Sequence, residues 1–340
     1  MTRVPIALFN VGNGGVRVNV GTSDMRENHG RRRFQPLRRA AAQLDEAPAL
    51  WLICEAKRWR RDAHDRAYGV AEALADELGV PYIPVLGTSL RGSIAPAMLW
   101  NPNVITMRSW WGPGDPDPDA YDDQINTAVF AVRDSGTTGE NRDEFIAWVD
   151  HFHPGDARAR WHEADRRARY GRKCDRPVIG GADTNENASG PHFPQRDWTI
   201  ADYERRAAEA RQLPDGTWVT ETGAMDHLVG EWDPERGCRV AGSGSGYEVI
   251  AERAWVAGVP DAMTPTVRDK PSSGGQIIKD YLFANPAMAP HIDPDRYRVY
   301  RSPEGFDHDL VTATFDLSRQ FPRAPATVTE RPHDHAVDAR

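Results

Sequence analysis

Short apolar runs that end in polar or charged residues recur along the chain, and they constrain the possible folds more than any other feature of the sequence. The first two runs are VPIALFNV at positions 4–11 and ALWLICEA at 49–56. Their length and aliphatic content predict buried strands. A helix is predicted between them over 31–44, with Pro36 in its first turn. The order strand, helix, strand indicates a layered α/β protein.

The same patterns assign the remainder of the chain. Further strands are predicted at 94–100, 125–132, 144–152, the start of 176–187, 276–284 and 309–317, and further helices at 65–80, 156–171 and 202–213. Residues 110–123 are rich in proline, glycine and aspartate and are predicted to form a loop. Residues 214–275 are predicted to be irregular, with short strands near 217 and 248.

Composition is typical of a soluble globular protein with one large domain. The 340 residues are 39% hydrophobic and 27% charged. We predict one domain over 1–320 and a disordered tail over 321–340, where proline, charge and histidine dominate. No apolar run reaches about 18 residues, and no signal peptide is evident. With three widely spaced cysteines, these features predict a cytoplasmic protein without a membrane span.

Reactive polar residues cluster at the ends of the predicted strands. They are Asn10, Glu55, His151, Asp183, Asn185, Asp280, Asp307 and His308. Each has an ordinary explanation by itself, since aspartate and asparagine cap turns and a single histidine is more often structural than catalytic. Six such strand ends in one chain favour a shared functional site.

The motifs that carry these residues occur in a characteristic order. They are LFN, ICE, DHF, GGADTN, KDYLF and FDHDLV, between residues 4 and 317. In this order the chain resembles the endonuclease/exonuclease/phosphatase superfamily, which contains exonuclease III, abasic endonucleases and DNase I. The specific motifs are GGADTN, KDYLF and FDHDL, whereas LFN and ICE are weak alone. The resemblance implies an α/β (α+β) fold, a four-layer α/β/β/α sandwich with two mixed sheets face to face and helices outside.

The resemblance also implies a metal-dependent phosphodiesterase. Glu55 is then the main ligand of Mg²⁺, with Mn²⁺ as the alternative metal, and Asp307 is a second ligand, directly or through water. Mg²⁺ prefers oxygen ligands and retains waters, so one or two carboxylates suffice. Asp183 is expected to orient or deprotonate the attacking water, and Asn185 to hold water or phosphate.

Two histidines and an asparagine complete the implied set. His308 is expected to contact the scissile phosphate, while Asp280 bonds the other ring nitrogen and fixes the tautomer. His151 is expected to be a second histidine beside the phosphate, and Asn10 to steady Glu55 or the substrate. His153 competes with His151, but the frame Asp-His-Phe favours His151.

The chain also departs from the family pattern. Ala182 intervenes between Gly181 and Asp183, Cys54 stands where glutamine often precedes the glutamate, and Phe306 stands where serine or threonine is common. No acidic residue lies two positions after Asn10, which weakens an assignment to the abasic endonucleases.

The substrate is left open between nucleic acid and a small-molecule or inositol phosphate. Basic side chains follow the first two strands, at Arg31, Arg32, Arg33, Arg38, Arg39, Lys57, Arg58, Arg60 and Arg61. They are able to follow a phosphate backbone, and Trp110 and Trp111 to stack on bases, but a solvated helix face and core packing explain these residues equally well. Nucleic acid is the favoured substrate, although the net charge of −8 is an argument against it. No protein partner can be inferred.

Two other interpretations compete with this one. A restriction-enzyme-like nuclease would use Glu55 and Lys57 with an upstream acid, but Asp45 and Glu46 precede the same strand. A catalytically silent binding scaffold is disfavoured because the complete set of reactive residue types is present. The histidines of HFHP and of the tail lack a third ligand at the spacing typical of zinc sites.

Overall fold

The computed structural model describes residues 3–12, 34–57, 59, 65–88, 95–111, 125–133, 144–268 and 271–317. Its strands are β1 (Arg3–Asn10), β2 (Leu50–Cys54), β3 (Ile83–Leu86), β4 (Ala97–Trp100), β5 (Ile105–Trp111), β6 (Thr127–Val132), β7 (Glu144–His151), β8 (Val178–Asp183), β9 (Ala210–Gln212), β10 (Trp218–Thr220), β11 (Trp232–Asp233), β12 (Cys238–Arg239), β13 (Glu248–Val249), β14 (Asp280–Ala284), β15 (Ile292–Tyr300) and β16 (Leu310–Asp316). The helices are α1 (Gln35–Ala41), α2 (Asp65–Leu78), α3 (Ala157–Ala168), α4 (Tyr203–Glu209), α5 (Gly223–Val229) and α6 (Ile250–Val256). None of the helices in these ranges is long and apolar enough to cross a membrane.

Two mixed six-stranded sheets form the centre of the molecule. The first sheet has the order β15-β16-β1-β2-β4-β3, and the second has the order β13-β14-β8-β7-β6-β5. Each sheet contains one parallel pair, β1 with β2 in the first and β7 with β8 in the second. The remaining neighbours are antiparallel.

The sheets pack face to face through apolar side chains that alternate with outward-facing ones. Leu8, Leu52 and Met98 of the first sheet belong to the same buried cluster as Phe130 and Phe145 of the second. Alternation along each strand, with period two, places these residues on the inner faces.

Helices cover the outer faces of both sheets. Phe9 and Trp51 of the first sheet pack in a second cluster with Leu37 of α1 and Leu74 of α2. Ala164 of α3, Met225 and Leu228 of α5 and Ile250 of α6 belong to the larger cluster with the second sheet. The predicted four-layer sandwich is therefore confirmed.

The two glycines of GGADTN allow close packing on both sides of β8. A Cβ atom at Gly181 would lie 2.5 Å from Leu52 Cδ1 of the opposite sheet. A Cβ atom at Gly180 would overlap the ring of Trp148 on the neighbouring strand. Only glycine fits at positions where a side chain or backbone approaches this closely.

Several predicted elements were wrong in type or extent. Trp110 and Trp111 end strand β5 and do not lie in a loop, because they pair with Ala128 and Thr127. The segment 214–275 contains the short strands predicted near 217 and 248, as β10 and β13, but it also contains the helices α5 and α6, which were not predicted. Helix α4 ends at Glu209, and the following residues form β9, which pairs with β10. The rest of the predicted loop, residues 112–123, and the tail predicted over 321–340 lie outside the described residues.

A candidate active site at the strand ends

The carboxyl ends of both parallel pairs meet at one end of the sandwich. Asn10 and Cys54 end β1 and β2 in register, and His151 and Asp183 do the same for β7 and β8. Asn10 Nδ2 donates a hydrogen bond to Asp183 Oδ2 at 2.8 Å, which joins the two sheets at this point. Parallel neighbours end at the same edge of a sheet, and this explains why residues far apart in sequence converge here.

Asp183 lies at the centre of the site and is almost completely buried. Its Oδ1 accepts a hydrogen bond from the backbone N–H of Asn185 at 2.9 Å. The Nε2 atoms of His151 and His308 lie 3.5 and 3.6 Å from its Oδ2. Burial raises the pKa of Asp183, but the charges of His308, His151 and Lys279 outweigh that effect and hold the pKa below its usual value. Asp183 is thus an oriented carboxylate with cationic groups beside it.

Glu55 lies next to Asn10 in an unfavourable backbone conformation. Asn10 Nδ2 lies 3.3 Å from Glu55 Oε1, so one amide group contacts both Glu55 and Asp183. Glu55 has a φ of 58°, in the left-handed region that costs a non-glycine residue about 1–2 kcal/mol. Such outliers persist where the surroundings hold them in place, often at functional sites.

Asp307 approaches the same region from the segment before β16. Asp307 is exposed, and its Oδ1 would lie 3.4 Å from a Cβ atom at Gly12. Gly12 N donates to Asn10 Oδ1 at 3.0 Å, so Asp307 lies beside the Asn10–Gly12 turn, whose Asn10 side chain also contacts Glu55. The donors are hard oxygen atoms with open access, which is the chemistry that Mg²⁺ requires.

His308 and Asp280 form a buried pair. His308 Nδ1 lies 2.8 Å from Asp280 Oδ2, which leaves Nε2 directed towards Asp183. Burial lowers the pKa of His308, but the carboxylates of Asp280 and Asp183 outweigh it and raise the pKa to about 10. Register explains the placement, since Asp280 is the first residue of β14 and pairs directly with Asp183. At neutral pH His308 is therefore an imidazolium that faces the centre of the site.

His151, and not His153, is the histidine that faces Asp183. His151 Nε2 lies 3.1 Å from Asn185 Nδ2, and the same amide nitrogen donates to Phe152 O at 2.9 Å. His153 Nδ1 instead accepts a hydrogen bond from Gly155 N at 3.1 Å, in the turn before α3. Asn185 adopts a φ of 50°, which asparagine tolerates well in a tight turn.

Asp183, Asp280 and His308 offer ligand atoms that lie within 4.8 Å of one another. Asp280 Oδ2 is already engaged by His308 Nδ1, and the other available atom of His308 is a nitrogen. Mg²⁺ prefers oxygen ligands and keeps several waters. We therefore expect Glu55 and Asp307 to hold the metal, Asp183 and His308 to contact water and phosphate, and Asp280 to orient His308.

Two contributors to the site were not predicted from the sequence. Lys279 is buried and its Nζ lies 3.3 Å from Asn185 Oδ1. Cys54, interpreted as core packing, accepts the N–H of Asp183 at 3.4 Å and donates to Asp150 O at 3.1 Å. Burial raises the pKa of Cys54, so its thiol remains protonated and acts as a hydrogen-bonding support for Asp183. The only sequence signal was their adjacency to Asp280 and Glu55.

The structure also bears on the competing interpretations. Asp45 and Glu46 contact Tyr300 and Arg296 near the start of β2, at the end opposite to Glu55. A restriction-like site that uses these acids with Glu55 is therefore excluded by geometry.

The basic side chains after the first strand lie only partly within the described residues. Arg38 is in the last turn of α1 and forms a 3.0 Å ion pair with Glu77 of α2. This favours the solvated helix face for Arg38. Arg31, Arg32, Arg33, Arg58, Arg60 and Arg61 lie outside the described residues.

Comparisons with known proteins agree with this fold. No family model matches the sequence, and no curated protein matches it. A crystal structure of the endonuclease/exonuclease/phosphatase from Bacteroides vulgatus has a TM-score of 0.50 and 15% identity, and the match covers 93% of this chain and 99% of that one. A humanised D. rerio TDP2 with 14 mutations has a TM-score of 0.50 and 13% identity, with 93% and 100% covered. The chain therefore has the fold of the endonuclease/exonuclease/phosphatase proteins.

Proposed function

We propose that the protein is a divalent-metal-dependent phosphodiesterase that hydrolyses its substrate by attack of water. The observation that carries this proposal is the position of the Asp183 carboxylate. It lies between the Nε2 atoms of His151 and His308 and is tied by Asn10 to Glu55. A base, cationic groups and a neighbouring metal-binding carboxylate are the parts that phosphodiester hydrolysis requires.

Asp183 is proposed to orient the attacking water and take its proton. The carboxylate is fixed by Asn185 N at Oδ1 and by Asn10 Nδ2 at Oδ2, so its remaining lone pairs have a defined direction. Asn185 presents its amide group beside His151, where it is proposed to hold water or a phosphate oxygen.

His308 and His151 are proposed to contact the scissile phosphate. The imidazolium of His308 is held by Asp280 at Nδ1, which directs the proton on Nε2 towards the site. A fixed positive charge in a buried site stabilises the charge that develops on the phosphate oxygens. Asp280 thus orients His308 and maintains its charge, much as a carboxylate orients a catalytic histidine elsewhere.

Glu55 and Asp307 are proposed to hold Mg²⁺, with Mn²⁺ as an alternative. A divalent ion held there would supply positive charge to neutralise phosphate oxygens during hydrolysis. Asn10 positions Glu55 through its amide group and connects it to Asp183.

A nucleic acid is the proposed substrate class. Trp110 and Trp111 are partly exposed at the end of β5, and their register with Ala128 and Thr127 places them at the same end of the second sheet as His151. Both side chains also pack against the core, but the exposed parts of aromatic side chains at this end of the sheet are suited to stacking on bases. A small-molecule or inositol phosphatase is the alternative within the same chemistry, because loops choose the substrate.

Hydrolysis of bis-p-nitrophenyl phosphate tests the chemical proposal. We expect Mg²⁺- or Mn²⁺-dependent turnover, and a fall of about 10³-fold or more in Asp183→Ala, since a positioned base contributes about 10²–10⁴-fold. The control is Asp215→Ala, an exposed carboxylate in the β9–β10 turn. Activity in Asp183→Ala equal to that of Asp215→Ala would contradict the proposed role. Absence of both turnover and Mg²⁺ binding would favour a silent scaffold.

A substrate panel tests the nucleic-acid proposal separately. The panel consists of single-stranded DNA, duplex DNA, RNA and inositol phosphates, each with Mg²⁺. We expect cleavage of at least one nucleic acid, with loss of activity in a Trp110→Ala, Trp111→Ala double variant. Turnover of the small phosphate esters alone would establish a phosphatase instead.

A further inference from the structure

Lys279 is a buried lysine whose ammonium group lies between Asn185 of the candidate site and Glu209. Its residue is 3% exposed, although lysine is almost never buried without a partner. The backbone is fixed on both sides, since Lys279 O accepts from Thr184 N at 2.8 Å and Lys279 N donates to Thr266 Oγ1 at 3.0 Å. The side chain therefore starts from a rigid position beside the loop that follows β8.

The ion pair of Lys279 does not account for its position. Its Nζ donates to Glu209 Oε1 at 2.7 Å. Glu209 is also paired with Arg205 at 2.7 Å and with Arg196 at 3.4 Å. Three cations around one carboxylate exceed what neutralising Glu209 requires.

The second contact of Lys279 determines the orientation of Asn185. Lys279 Nζ has only donor hydrogens, so the atom of Asn185 that faces it at 3.3 Å must be Oδ1. Asn185 Nδ2 is then directed to Phe152 O at 2.9 Å and to His151 Nε2 at 3.1 Å. An amide rotated by 180° would place a donor against the ammonium group and an acceptor against a carbonyl.

We infer that Lys279 is a positioning residue, which holds the Asn185 amide so that its N–H group faces His151 and the reacting phosphate. The effect that we expect on catalysis rests on the proposed function. The contact between Lys279 and Asn185 does not depend on it. Lys279 acts through Asn185, so its effect on the reaction should disappear when the Asn185 side chain is absent.

The test uses a double-mutant cycle with Lys279→Met and Asn185→Gly. Methionine keeps the length of the side chain and removes the donor, while Glu209 retains Arg196 and Arg205. Glycine removes the amide and accepts the φ of 50° at position 185 without strain. If Lys279→Met does not unfold cooperatively, the cycle uses Lys279→Gln instead. The glutamine side chain is polar, but its amide nitrogen ends one atom short of the position of the lysine ammonium group.

With bis-p-nitrophenyl phosphate and Mg²⁺, Lys279→Met should lower kcat by about tenfold or more with KM within about twofold, because small displacements of positioned groups are costly. In the Asn185→Gly background the same change should alter kcat by less than about twofold, as expected for residues that act as a unit. Equal losses in both backgrounds would show a general structural role and overturn the inference.

A measurement without turnover separates this inference from the proposed function. The side-chain amide signal of Asn185 in ¹H–¹⁵N spectra is assigned by its loss in Asn185→Gly. We expect its hydrogen exchange to be at least about tenfold faster in Lys279→Met than in the wild type, because a contact that restrains the amide is removed. Unchanged exchange would overturn the inference even in an active enzyme. If the wild type failed to hydrolyse the ester, the proposed function would be refuted. The exchange rate of the Asn185 amide would still decide whether Lys279 positions that amide.

Discussion

At the scale of single residues, Glu55 and Lys57 distinguish two kinds of nuclease chemistry. Glu55→Gln keeps the size of the side chain and removes the charge. We expect it to lower Mg²⁺-dependent hydrolysis by about 100-fold or more, since a bound metal supplies several kcal/mol of transition-state stabilisation. Lys57→Ala should change kcat by less than about threefold. Initial rates across a Mg²⁺ titration measure both variants, and the reverse pattern would contradict the assignment of Glu55 as the metal ligand.

The raised pKa of His308 leads to a specific prediction for how the stability of the metal-free protein depends on pH. Its folded pKa of about 10 lies above the usual 6.5, so the stabilisation is complete below pH 6.5 and is lost as the pH rises towards and through 10. Between pH 7.5 and 8.5 the free energy of unfolding should fall by about 1.4 kcal/mol per pH unit from this group. This window lies above the pKa of Glu186, which burial raises to about 7, and below the usual cysteine value of 9.0.

Urea unfolding at several pH values measures this slope. His308→Gln removes the ionisable ring, so the difference in slope between wild type and variant isolates His308. Asp280→Asn should flatten the slope as well, because it removes the carboxylate that contacts Nδ1 at 2.8 Å. An identical slope in wild type and His308→Gln would contradict the pKa of about 10.

The sequence predicted which polar residues meet, but not what supports them. The family resemblance carried by the motif order implied that Asp183, Asp280 and His308 would be neighbours, and hydrophobic patterning placed each one at the edge of a buried run. Lys279 was not predicted, because a lysine beside an aspartate in a strand ordinarily faces solvent. Its burial depends on Glu209, which is 70 positions away in the sequence and lies in a helix with no apolar pattern.

At the scale of secondary-structure elements, the loop after β8 is fixed to the helical layer by a buried ion pair. Arg160 of α3 donates to Glu186 Oε2 at 2.7 Å, and both side chains are almost completely buried. Glu186 Oε1 accepts from the N–H groups of Ala224 and Met225 at 2.6 and 3.2 Å. This pair therefore connects α3, α5 and the loop that carries Asn185.

Arg160→Met is expected to destabilise the protein strongly. It leaves Glu186 buried without its cation, and breaking such a pair typically costs about 3–5 kcal/mol. The matched control is Arg253→Met, since Arg253 pairs with Glu248 at 2.7 Å where the side chains are 36% and 44% exposed. Exposed pairs contribute about 0–1 kcal/mol. Chemical denaturation measures both, and equal losses would contradict the assigned importance of burial.

Helices and strands were predicted well where the hydrophobic periodicity was strong. They were predicted poorly where contacts with distant parts of the chain determine the secondary structure. Residues 65–78 and 310–316 follow their patterns closely. The strand β15 was missed because DPDRYRV carries charge and proline, which are tolerated since β15 is the edge strand of the first sheet. Trp110 and Trp111 were assigned to a loop because proline and glycine follow them directly, yet pairing with β6 extends β5 through both.

At the scale of the whole molecule, the side chains of the candidate site come from both sheets and meet at one end of the sandwich. The first sheet contributes Asn10 and Glu55, and the second contributes His151 and Asp183, with the contact from Asn10 to Asp183 between them. This end also carries a local excess of cations around Glu209, in a chain whose net charge is −8. The charge around Glu209 thus differs in sign from that of the whole protein, and such a local cluster is compatible with the anionic substrate that we propose.

Removal of the metal is expected to abolish activity and preserve the fold. The buried clusters on both sides of the first sheet consist of hydrophobic side chains, and Glu55 and Asp307 lie outside them. Chelation should therefore leave the circular dichroism spectrum unchanged, and Mg²⁺ at 100 times its Kd should add only about 2.7 kcal/mol of stability. Calorimetry with and without Mg²⁺ measures this increment, and Glu55→Gln should eliminate it. Loss of cooperative unfolding on chelation would show a structural metal, because only a site that organises the core makes folding depend on the ion.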